Sequence, residues 1–199
     1  MEDLKFSDSL DVGHIDFRVA RVQEYNGTFY AQLLAYKDAR VDMFILDTIC
    51  TPYGWQNEYR RDSQGVLQCG IGVHSDNLQE WVWKWSNGVP SNFEGVKGEY
   101  SDAFKRAGFM WGIGRDLYDY PQIRITLNES EVTHRNGEAA ASYNFTPNKW
   151  DWVWKNKNGD IELSKPDDPS YSLIAYQVTK NGSKVERYKS NPHFSMNQR

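Results

Sequence analysis

The chain has 199 residues, 39% hydrophobic and 25% charged, with a net charge of -4. That length buries a real core, and the composition argues against wholesale disorder. Mean hydropathy is -0.75, and no apolar run approaches the roughly 18 residues of a membrane helix, so a membrane partner is not expected. The acidic start MEDLKFSDSLDVG lacks an apolar segment of the secretory kind, so a cytoplasmic location is expected. Cys50 and Cys69 have no CxxC spacing, which argues against a disulfide scaffold and a cysteine zinc site.

In chain order, Ile15, Phe17 and Val19 alternate with polar residues, as in a half-buried strand. Asn26-Gly27 then separates this run from TFYAQLLAY, a strong hairpin signal. In VDMFILDTIC, Val41, Phe44, Ile45, Thr48 and Ile49 fall at helical spacing, and Thr51-Pro52-Tyr53-Gly54 breaks the helix. WQNEYRR, VLQCGIGVH and EWVWKWS follow with short polar connections, which predicts an antiparallel meander. Ser91 with Glu94 has the capping-box spacing, and a helix is expected from there to about Gly112. Its core face should hold Tyr100, Ala103, Phe104, Ala107 and Trp111. Residues 128–148 read as a polar loop, and two further hairpins should turn at Asn158-Gly159 and Asn181-Gly182. The fold class expected is therefore α+β: an antiparallel β-meander packed on an amphipathic helix, with β-hairpins towards the C-terminus.

Several chemistries find no motif. GVKGEYSD is not a P-loop, and GIGVHSD lies in the meander rather than opening a helix. The four histidines show no ligand spacing, and no nucleophile elbow is present. The expectation is a non-enzymatic protein without a cofactor or catalytic residues.

Charge is uneven: residues 1–100 carry 9 basic and 15 acidic side chains, residues 101–199 carry 14 and 12. A basic surface would have to be a local patch. On the second predicted helix Arg106 points away from the core, with Lys105 on its flank. This pair suits phosphate, although charge pattern alone favours an i, i+4 ion pair with Asp102. Trp81, Trp83 and Trp85 share one strand face and Lys84 takes the other. The stripe suits base or sugar stacking, but packing against Tyr100, Phe104 and Trp111 is the favoured reading. A second stripe, Trp150, Trp152 and Trp154, would cover a sheet or form a subunit contact.

The order strand–strand–helix–meander–helix, with DARVDMFILDTICTPYGWQNEY before the meander and KGEYSDAFKRAGFMWGIGRDLY after it, resembles the Rad-fifty-two-like superfamily of single-strand annealing proteins. That superfamily includes phage Sak-type recombinases and the bacterial DdrA. The resemblance runs from Ile15 to Pro121. It implies a β-β-β-α annealing core, placed over residues 1–121. Residues 122–199 lie outside it, and their hairpin pattern and the cations between Lys180 and Arg199 make them a β-rich extension with a basic tail. It also implies a homo-oligomeric ring or helical filament that binds single-stranded DNA and anneals complementary strands, without ATP, in phage recombination and DNA repair. A host single-strand-binding protein or a phage exonuclease is the implied partner. By position, Arg40, Lys105 and Arg106 match the cations that grip phosphates in that family. Arg60, Arg61, Lys84, Lys97 and Arg115 follow from the meander and the helix ends. A further cation found in some relatives one turn after the Lys-Arg pair is replaced here by Phe109 and Met110. Two rival readings are a Trp-rich glycan- or ligand-binding β module and a metal-dependent nuclease.

Overall fold

The meander forms as its alternation predicts. In the computed structural model, which describes residues 6, 9–89 and 95–191, β3 (Trp55–Arg61), β4 (Leu67–Ser75) and β5 (Glu80–Asn87) make a three-stranded antiparallel sheet in chain order. Leu67, Cys69, Ile71 and Val73 of β4 point to one side and are buried. They meet Ala103, Phe104 and Ala107 of α2 (Gly95–Trp111) and Leu46 of α1 (Ala39–Cys50). Burying a side chain such as Phe104 contributes about 1.5–3 kcal/mol, and this shared core fixes both helices on the sheet.

Helix α1 starts where Asp38 accepts from the Arg40 N–H at 2.8 Å, an N-cap that satisfies an orphan donor. Its buried positions are Asp42 and Leu46, while Phe44 is exposed, so the inward face is rotated from the one predicted. Helix α2 ends in a Schellman arrangement. Gly112 has φ of 107°, its N–H donates to Phe109 O, and Ile113 N–H donates to Gly108 O at 3.1 Å. Tyr100 is more exposed than its assigned core position implies and packs on Tyr59 at 4.8 Å. The capping box at Ser91–Glu94 lies outside the described residues.

Lys37–Arg115, joined by Phe6, forms one compact unit. Leu10–Tyr36 and the described residues from Asp116 to Asn191 form the other. The first hairpin thus belongs with the C-terminal part, and the expected 1–121 core is distributed over both units. In this second unit β1 (Asp16–Tyr25) pairs with β2 (Thr28–Tyr36) around Asn26-Gly27, both at positive φ. A register shift between Val19 and Arg21 moves the inward phase from Val19 to Val22. Strand β6 (Ile123–Thr126) adds to β2.

The expected loop at 128–148 instead contains a short hairpin, β7 (Val132–Arg135) with β8 (Glu138–Ala141), turning at Asn136-Gly137. The NG turn chemistry was present, but four-residue strands are too short to show a period. The last two hairpins form one sheet in the order β10-β9-β11-β12, comprising β9 (Asp151–Lys155), β10 (Ile161–Glu162), β11 (Ser172–Val178) and β12 (Lys184–Lys189). Trp150, Trp152 and Trp154 are buried. Trp152 stacks on Phe17 with ring centroids 3.7 Å apart and donates to Pro147 O at 2.9 Å. The second Trp stripe is therefore core of this unit. Arg187 binds Glu131 at 2.8 Å beside the Trp150 ring. Burial alone would raise the Glu131 carboxyl, but Arg187 and the Asn128 N–H hold it below its ordinary value.

Candidate nucleic-acid interface

The cations are arranged along α2. Near its start Arg61 of β3 forms a two-pronged pair with Glu99, at 3.0 and 3.3 Å. Lys97 is exposed in the first turn. In the middle Arg106 is held by Asp102 at 2.7 Å, the ion pair that the spacing favours. The same Asp102 carboxylate accepts the Val89 N–H at 3.0 Å. Arg40, at the head of α1, clasps Asp38 through its Nε and Nη2 at 3.0 and 3.2 Å. The Arg40 hydrogen bond is the main reason the Asp38 carboxyl sits below its ordinary value, and Lys105 pulls in the same direction. Arg40 and Lys105 thus form one cationic corner around a single carboxylate.

At the C-terminal end of α2, Arg115 donates to Phe109 O at 2.7 Å and Met110 O at 2.8 Å. Lys84 reaches the same Met110 carbonyl at 3.1 Å and lies 4.2 Å from the centroid of the Trp111 ring. Both cations complement the negative end of the helix dipole. Burial, and secondarily Arg115, lowers the Lys84 pKa. Arg60 is separate. It pairs across from Gln68, on the sheet face opposite α2, stacks 3.7 Å from the Trp85 ring centroid and donates to Gln68 Oε1 at 2.9 Å.

The favoured packing reading of the first Trp stripe is overturned. Lys84, which alternates with the Trp residues, is the side chain that meets α2. Trp81, Trp83 and Trp85 pair across from His74, Gly72 and Gly70, the residues of β4 that alternate with buried Cys69, Ile71 and Val73. The stripe therefore covers the other face of the sheet. The helix side is already filled by β4 side chains and by Ala103, Phe104 and Ala107 of α2, leaving no room for three indoles.

A buried pair escaped sequence reasoning. Lys37 donates to Asp42 Oδ1, and both side chains are essentially inaccessible. Lys37 Nζ also lies 4.3 Å from the Phe109 ring centroid. Burial pushes the Asp42 carboxyl up to about 6 against the opposing pull of Lys37. Gly108 of α2 makes room for this pair. The signal was an Asp inside an apolar helix run, five residues after a Lys, facing a Gly in the next helix.

Elsewhere, a cleft of about 560 Å³ in the second unit is lined by Asp11, His14, Asp16, Trp150, Asp151 and Lys184, among others. Its lysine is paired with Asp151 at 2.8 Å, so its carboxylates disfavour a phosphate. Burial raises the Cys50 thiol to about 11 and the Cys69 thiol to about 12, which suppresses the thiolate form. Among the described residues, no three His, Cys, Asp or Glu side chains converge as a metal-ligand group, and no helix is long and apolar enough to cross a membrane. Comparison of the chain with family models, curated proteins and solved structures finds no match to any of them.

Proposed function

We propose that this protein binds single-stranded DNA as a homo-oligomer and anneals complementary strands without ATP or a metal. The observation that supports this reading is the set of cations spread along both flanks of the 17-residue α2, which packs on the β3–β4–β5 sheet. The set includes Lys97 and Arg61 near its start, Arg106 and the Arg40–Lys105 corner in the middle, and Lys84 and Arg115 at its end. An α-helix of this length spans about 25 Å, enough to follow several phosphates of an extended strand. The carboxylates and carbonyls that now hold these cations keep them in place, and phosphate can replace exposed partners at low cost because surface ion pairs are weak. The order of hairpin, α1, meander and α2 is that of the annealing proteins the sequence resembles. In this reading a host single-strand-binding protein or a phage exonuclease supplies the strand.

Annealing of complementary oligonucleotides in EDTA and without nucleotide tests the activity. Cleavage that depends on added divalent metal would favour the nuclease reading instead. For the interface, Lys105→Ala combined with Arg106→Ala is expected to weaken binding of a dT oligonucleotide. The slope of log affinity against log salt should fall by about 1.4, that is about 0.7 for each phosphate contact on a single strand. Arg40→Ala should lower it by about 0.7. The oligomer should remain intact by light scattering. Unchanged affinity and slope would remove these residues from the interface.

A further inference from the structure

Three large aromatic side chains on a sheet face away from the core call for an explanation beyond packing. Trp81, Trp83 and Trp85 occupy alternate positions of β5, and each faces away from α2. Two of them have a floor of glycine. A Cβ at Gly70 would lie 2.6–2.7 Å from three ring atoms of Trp85, and one at Gly72 would lie 2.8–2.9 Å from the same three atoms of Trp83. Near-equal distances to several ring atoms mean that each indole lies flat over backbone. Any other residue at either position would lift it. Trp83 and Trp85 run nearly parallel, with an interplanar angle of 24° and centroids 5.8 Å apart. Trp81 packs against the edge of His74 and is 37% exposed. In this row Trp83 and Trp85 are thus held flat on the sheet and half-buried, and Trp81 is exposed.

Charge marks one end of it. Arg60 lies over Trp85 and is held by the amide of Gln68. Arg40, Arg61 and Arg106, by contrast, are each bonded to a carboxylate. Glu58, across from Gly70, shares the face, but the guanidinium bonds the neutral Gln68 and keeps its charge for a ligand.

We propose that Trp81 and Trp83 stack bases of single-stranded DNA while Arg60 meets an adjoining phosphate. This is a second contact surface, on the sheet face opposite the α2 cations, and it rests on the proposed function. Stacking uses the face of a base, so the pairing edge stays open to a complementary strand. It is also tolerant of sequence, because every base has a π-face. Both properties suit a protein that pairs strands of any sequence.

The test compares two oligonucleotides of equal length and charge, one of dT and one abasic, on the full chain and its variants. The wild-type chain is expected to prefer the dT oligonucleotide about tenfold. Trp83→Ala and Trp81→Ala should each reduce that preference while leaving the affinity for the abasic strand unchanged. Trp83→Phe, which keeps a ring over Gly72, should retain it, and Trp81→Ala gives the answer if Trp83→Ala does not fold. Arg60→Ala should weaken both oligonucleotides alike. Equal binding of the two by the wild-type chain would overturn the stacking site and leave the proposed function standing. Binding of neither overturns both, and retention on an uncharged polysaccharide would then assign the row to sugar rings.

Discussion

Gly108→Ala is expected to lower stability by about 3 kcal/mol, on the scale of an overpacked core or a disturbed buried ion pair. In an exposed helix the same exchange would stabilise by up to about 1 kcal/mol, because alanine is the better helix former. Here the sign reverses, since the added methyl would overlap Asp42 Oδ1 and lie 3.1 Å from Lys37 Nζ. Neither partner is the free end of a flexible exposed side chain. Both are buried, and each holds the other. Relief would require α1 and α2 to move apart across the core they share. Urea unfolding monitored by circular dichroism measures the effect, and a midpoint equal to or above wild type would show that the two helices tolerate the shift.

Lys37→Met is expected to cost about 3–5 kcal/mol at pH 8, because it leaves the Asp42 carboxylate buried without its counter-charge. Its sign with pH follows from Asp42. The folded-state pKa of about 6 lies above the ordinary 3.8, so the folded chain holds this proton more tightly than the unfolded chain. The stabilising contribution of that proton is complete below about pH 4 and is lost as pH rises through about 6. Removing Lys37 takes away a lowering influence and moves the loss to higher pH. The variant should therefore be closer to wild type at pH 5 than at pH 8, and Asp42→Leu in the same chain should restore much of the loss at pH 8. Urea midpoints at the two pH values decide this. A deficit of equal size at both would mean that the substituted side chain fails by shape and not by charge.

Strand alternation and turn residues made the meander, both helices and the late hairpins legible, because each is set by local pattern and by residues such as Asn26-Gly27 and Asn181-Gly182. The rotation of α1 was not legible. A rule that places apolar residues inward has no means of preferring Asp42 over Phe44 until Lys37 is seen beside it. The Trp stripe shows a related limit. Alternation established that Trp81, Trp83 and Trp85 share a face and that Lys84 opposes them, but it does not say which face meets a helix. The glycines of β4 held that information: in LQCGIGVH the positions left without side chains, Gly70 and Gly72, are those across from Trp85 and Trp83. Among the candidate cations, the i, i+4 spacing already contained the Arg106–Asp102 pair. The partnership of Arg61 with Glu99 spans 38 positions, beyond the reach of any local rule.

The membership of the two units has a consequence for how they fold. Lys37–Arg115 is covalently an excursion out of the other unit, leaving after Tyr36 and returning at Asp116. While it is uncoiled, it is a long flexible tether between β2 and β6, which pair with each other. Closing a tether of this length costs about 4 kcal/mol in chain entropy. Once the excursion has folded its ends are no longer free to wander, and much of that penalty on the β2–β6 pairing disappears. Stability gained in the helix-backed meander is thereby passed through the chain itself to a sheet elsewhere, a form of cooperativity that requires no shared surface.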